Sequence, residues 1–133
     1  MTPDGLTSLK SSFAPGQTMD RLEAAVKARG MTIFARIDHA AGAAAAGLAL
    51  RPTELLIFGH ARGGTPLMQA VQTIGIDLPL RALVWQDEAN VTWLSYDDPA
   101  WLAHRHGLPP DSDAAIGNLA SALNAVAKAA TSA

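Results

Sequence analysis

At 133 residues, with 49% hydrophobic and 17% charged positions, the chain has the size and composition of one globular domain spanning 1–133, not of a disordered tract or a fibre. Ten Lys and Arg dispersed among twelve Asp and Glu leave a net charge of -2 and no basic face, which argues against a nucleic-acid partner. The absence of cysteine removes disulfides, thiolate metal sites and a cysteine nucleophile; no leader pattern or run of ~20 apolar residues is present, so the expected setting is the cytoplasm, with no membrane partner.

Residues Leu6 to Phe13 alternate loosely, with Leu9, Ser11 and Phe13 on one side, and predict a half-exposed strand ended by Pro15-Gly16. Thr18 then caps a predicted helix whose Met19, Leu22 and Val26 share a face, with Gly30 in place to terminate it. Thr32 to Asp38 alternates again, putting Ile33, Ala35 and Ile37 on one face and Thr32, Phe34, Arg36 and Asp38 on the other.

The stretch Ile37 to Gly59 holds the most unusual residue choices. Asp38-His39 leads into alanines from Ala40 to Ala46 that favour a short helix closed by Gly47, and Arg51-Pro52-Thr53 leads into the apolar run Leu55-Leu56-Ile57-Phe58. Such a run reads as a central strand buried on both faces. Gly59 to Gly64 reads as a flexible loop, followed by a helix with Thr65 at its cap, Pro66 at its first position, Leu67, Val71 and Ile74 on one stripe and Gly75 at its end. Arg81–Asp87 and Val91–Asp97 predict a hairpin that can set Trp85 beside Trp93. A short helix from Pro99 to about His104 and a last helix with Ile116, Leu119, Leu123 and Val126 facing the core complete the chain, with a tail that frays after Lys128. The expected class is α+β: a curved, mostly antiparallel sheet of about five strands in the order β-α-β-β-β-β-α, with short helical insertions and the helices on one face.

The blocks RIDHAAGAAAAGLALRPTELLIFG, GGTPLM, IDLPLRALVW and WLSYDDP, in this order between Leu6 and Asp98, resemble the domain-of-unknown-function 302 family. The resemblance implies a fold like a single repeat of the TATA-binding protein and points to self-association, but to no particular reaction. The chain departs from the family pattern at His60-Ala61-Arg62, where a proline-containing turn is expected.

No catalytic signature is present. His39 beside Asp38 has the composition of an acid and base pair, yet adjacent strand residues point to opposite faces, and Asp38 serves equally as the cap of the alanine helix. Arg51 has the planar fork that binds a carboxylate or phosphate, or it pairs with Asp38 or Glu54. The glycine-rich segment before Thr65 offers backbone donors to an anion but lacks the lysine of a phosphate-binding loop. His104 and His106 diverge by about 200° on a helix, which disfavours a shared metal. The resulting expectation is a module that binds a small, anionic ligand through Asp38, His39, Arg51, Thr53, Gly64 and Thr65, with no metal or cofactor. A homodimeric interaction protein comes second, and an enzyme using Asp38 and His39 third.

Overall fold

A computed structural model describes residues 2–133. In chain order the elements are β1 (Leu6–Lys10), α1 (Pro15–Ala28), β2 (Thr32–Asp38), α2 (His39–Ala45), β3 (Thr53–Gly59), α3 (Ala61–Ala70), a 3-10 turn at Gln72–Asp77, β4 (Leu80–Gln86), β5 (Thr92–Asp97), α4 (Pro99–His106), a 3-10 turn at Pro110–Ser112 and α5 (Asp113–Thr131). The five strands form one antiparallel sheet ordered β1-β5-β4-β3-β2. The expected α+β class and strand count are therefore observed.

Strand register decides which side chains meet the helices. Leu56 lies opposite Ala82, Phe58 opposite Leu80 and Val84 opposite Leu94, so these residues share a face. On that face they pack against Met19, Leu22 and Val26 of α1 and against Leu123, Val126, Ala127 and Ala130 of α5. Amphipathic helices laid over one side of an antiparallel sheet give a two-layer core. The opposite face carries Leu55, Ile57, Leu83, Trp85 and Trp93, all half-buried. The apolar run of β3 is thus an interior strand buried completely on one face only, a correction to its reading as a strand buried on both.

A bulge between Ile33 and Ala35 reverses the alternation of β2. Ile33 stays on the core side, but beyond the bulge Arg36 sits opposite Leu56 and joins that side, while Ala35 and Ile37 turn to the other. One inserted residue moves every later side chain to the opposite face, which explains why Ile33, Ala35 and Ile37 do not form the single stripe expected of them.

Several element ends also differ from the sequence expectation. Pro15 opens α1 rather than ending β1, with Ala14 as the flanking residue, and Thr18 lies fully buried in the first turn, bonded to Ser11 Oγ at 2.7 Å and donating to Ala14 O at 2.9 Å. β1 itself stops at Lys10. His60, not Thr65, caps α3, its Nδ1 accepting from Arg62 N at 3.0 Å, so the supposed loop Gly59 to Gly64 is mostly helix. That helix stops at Ala70, before the Gly75 expected to end it. The C-terminal segment after Lys128 is docked instead of frayed: Ala130 and Thr131 are buried, Ser12 N donates to Thr131 O, and Arg21 Nη2 reaches Ala129 O and Ser132 O. A guanidinium over the last carbonyls of a helix satisfies acceptors that have no partner within it.

Candidate functional site

The six positions singled out in the sequence fall at the two ends of β3 and do not form one site. Asp38 and His39 lie at the end of β2, where Asp38 pairs with Glu54 in the sheet and its Oδ1 accepts from Ala41 N at 2.8 Å. That carboxylate is occupied as a helix cap. His39, the first residue of α2, is exposed. Arg51 and Thr53 line a shallow groove with Leu50, Trp85, Gln86 and Asp87 on the side of the β4–β5 hairpin. Arg51 pairs with neither Asp38 nor Glu54: Glu54 is held by Arg36 at 2.7 Å, and Arg51 Nη1 approaches Asp87 O at 3.4 Å. Gly64 and Thr65 lie beyond the opposite end of β3, in the wall of a different cavity.

That cavity, of about 450 Å³, is smaller than the Arg51 groove but more enclosed and more apolar. Its floor is the end of β3 and the start of β4 (Gly59, Pro79, Leu80). One wall is α3, from Ala61 to Met68, with Gly75 and Leu78 behind it; the opposite wall is Ala115, Asn118 and Leu119 of α5, and Met31 and Phe34 close the β2 side. The lining is mainly apolar, with His60, Arg62, Thr65 and Asn118 as its polar side chains. A hollow of this size, apolar with a few polar groups, is what sites for single small molecules look like.

The local sequence makes the cavity possible. Two glycines in succession leave part of the inner surface of α3 without side chains: a Cβ at Gly64 would meet only Leu78 Cδ1 at 3.5 Å and Met68 Cε at 3.8 Å, ordinary contact distances. Gly63 sits closer to α5, where a Cβ would meet Leu119 Cδ2 at 3.2 Å. Gly63, Gly64 and Pro66 make α3 a poor helix by propensity, so it depends on its anchor, Leu67, which is fully buried against Ile74 and Ile116.

Three polar clusters lie outside the cavity. Asp77, only 6% exposed, receives Arg105 Nη1 at 3.1 and 3.0 Å and His106 Nε2 at 2.6 Å, with Arg81 at 3.6 Å; His106 Nδ1 also meets Thr73 Oγ1 at 3.1 Å. His106 thus works as a tie between α4 and the 3-10 turn that backs the cavity. Arg36 is gripped by Glu54 and Asp20, and the Glu54 hydrogen bond, reinforced by Asp20, holds its pKa above the ordinary arginine value. Asp87 accepts from Trp93 Nε1 at 2.8 Å and from Val91 and Ala89 amides, and these bonds, that of Trp93 foremost, lower its pKa. Among the described residues no group of three or more His, Asp and Glu side chains is arranged to hold a metal.

Sequence reasoning reached the α3 wall through Gly64 and Thr65 but missed Met31, Phe34, Asn118 and Leu119. Met31 and Phe34 come from the entry to β2 and from β2 itself, Asn118 and Leu119 from α5, and no spacing in the chain announces that they converge.

Comparison with known proteins gives a family, two relatives and one solved structure. The model of the family described as "Domain of unknown function DUF302" matches residues 7–126. The chain is 48% identical over 124 residues to a protein named "Fluoride-specific ion channel FluC 1" of Brucella suis biovar 1, covering 93% of this chain and 49% of that protein. A "Fluoride-specific ion channel FluC 2" of Brucella melitensis biotype 1 is likewise 48% identical, over 93% of this chain and 46% of its own length, so the chain spans about half the length of the curated relatives it matches. The crystal structure of an uncharacterized conserved DUF302 protein from Bacillus stearothermophilus superposes with a TM-score of 0.85, covering 96% of this chain and 99% of that one at 17% identity, a likeness of fold. With the family model matching all but the two ends, and the same sheet and helices in that solved structure, this chain belongs to the DUF302 family.

Proposed function

We propose that the protein is a small-molecule-binding module whose site is the cavity between α3 and α5. The observation that carries this reading is the cavity itself: about 450 Å³ of mainly apolar space beside a helix whose consecutive Gly63 and Gly64 set no side chain against Leu119 and Leu78. Sites for single small molecules are concave and mostly apolar with a few polar groups, and this cleft has that lining. Gly64 and Thr65 remain in the proposed site, whereas Asp38, His39, Arg51 and Thr53 do not. The test is a thermal-shift screen of apolar and amphipathic compounds on the wild type and on Gly64→Leu. Leucine is a good helix former, and from position 64 its side chain would fill the space beside Leu78 and Met68. Ligands that bind the folded state raise the melting temperature, and those hits should vanish in the folded variant; hits that persist would place binding elsewhere.

A second reading rests on the other face of the sheet. Leu55, Ile57, Leu83, Trp85 and Trp93 form an apolar surface that neither α1 nor α5 covers, extended by exposed Ile37 and centred on two stacked indoles 6.3 Å apart. Such a surface fits self-association as a homodimer. The relatives named as fluoride-specific ion channels support an interaction role as well, since the matching stretch makes up about half of each.

A further inference from the structure

Resting on the cavity reading, we infer that the occupant is an organic carboxylate with an apolar body, its head group held at Arg62 and its body between the methionine and leucine side chains. Charge complementarity carries the argument. The chain has more acids than bases, yet among the described residues lining the cavity there is no Asp or Glu, and Arg62 is the only permanently charged one. The guanidinium of exposed Arg62, like that of Arg29, makes no hydrogen bond or ion pair among the described residues, whereas Arg36, Arg81 and Arg105 are each bound to carboxylate.

The position of Arg62 strengthens the case. It stands in the first turn of α3, where the helix dipole is positive and a cation is unfavourable, and the turn holds no acid to offset it. An anion at the cavity mouth would answer both charges. His60 adds a donor: because its Nδ1 accepts from Arg62 N, the ring proton of the neutral imidazole is on Nε2. Asn118 supplies an amide on the opposite wall. A fully polar anion such as phosphate would leave the apolar walls hydrated, while an apolar neutral molecule would leave the guanidinium unanswered. A carboxylate head on an alkyl body satisfies both, and unbranched, polarizable Met31 and Met68 suit a flexible chain.

Octanoate, 1-octanol and inorganic phosphate titrated calorimetrically into wild type, Arg62→Gln and Arg62→Glu test the assignment. Octanoate should bind wild type more tightly than either other probe, weaken by about tenfold in Arg62→Gln as one charge-assisted contact is lost, and weaken further in Arg62→Glu. The alcohol, which has no charge to place, should bind all three proteins alike. Equal affinity for octanoate and octanol, or octanoate binding indifferent to both substitutions, would overturn the assignment of an anion while leaving the cavity as a ligand site. Failure of all three probes, with hits from the wider screen still abolished by Gly64→Leu, would overturn the alkyl carboxylate class alone.

Discussion

At the scale of single residues the fold rests on a few buried polar contacts that can be broken one at a time. Asp77 is the sharpest case. Removing its carboxylate in Asp77→Ala strands His106 and Arg105 together, and losing one member of a buried ion pair is worth about 3–5 kcal/mol. Because Arg105 and Arg81 remain 49% and 43% exposed and keep much of their solvation, the expected loss is smaller, about 2–3 kcal/mol, read from urea denaturation. A change below about 0.5 kcal/mol, ordinary for a surface site, would show that the cluster ties nothing together. Asp87 gives a pH signature. Its folded pKa is depressed, so its contribution is present above the unfolded carboxylate value of about 3.9 and is lost as pH falls through the lower folded value. Melting temperatures of wild type and Asp87→Asn should differ at pH 7 and converge toward pH 2. Tyr96 works in the opposite sense: burial, with Asp98 adding to it, raises its pKa, so stability tied to the neutral phenol is kept below about pH 10 and lost as pH rises through the folded value. Tyr96→Phe should therefore lose less stability than wild type between neutral and strongly alkaline pH.

At the scale of elements, the two faces of β3 make different demands. Leu56 and Phe58 are fully buried, whereas Leu55 and Ile57 point to the uncovered face. Leu56→Ala should cost about 2–5 kcal/mol through lost burial and the cavity left behind, and Ile57→Ala clearly less in the monomer. Equal losses would mean that both faces are sealed. The register that separates them was only partly legible. Hairpin pairing, strand count and the stripes of α1 and α5 follow from period and turn chemistry, and Trp85 does lie opposite Trp93. The bulge at Phe34 was invisible, because a bulge is a choice of pairing between strands and leaves no mark on the spacing within one. The start of α3 was hidden by its own composition: glycines and a proline read as a turn, while the histidine cap at residue 60 and the packing of Leu67 outweigh propensity. The cavity follows from that same local weakness. Gly64→Ala, whose Cβ meets only ordinary contacts, should stabilise the protein by about 0.5–1 kcal/mol as helix propensity improves.

At the scale of the whole molecule, the sheet separates two surfaces with different capacities. Its helix side holds the core and, at one end, the α3–α5 cavity. Its other side is an apolar plane that suits a second copy of the chain. If that plane joins two copies, Ile57→Lys should give a monomer of wild-type secondary structure by light scattering and circular dichroism, with ligand binding in the cavity intact, because the substituted side chain is on the far face. Among the described residues no helix is long and apolar enough to cross a membrane. On the proposed reading the cavity, and not the Arg51 groove or the tryptophan face, receives the ligand. Amide chemical shifts of isotope-labelled protein titrated with octanoate test this most directly. The expected result is a set of saturable shifts confined to Met31 and Phe34, His60 to Met68, Leu78 to Leu80 and Ala115 to Leu119; shifts centred on Arg51, Trp85 and Asp87, or none that saturate, would contradict it.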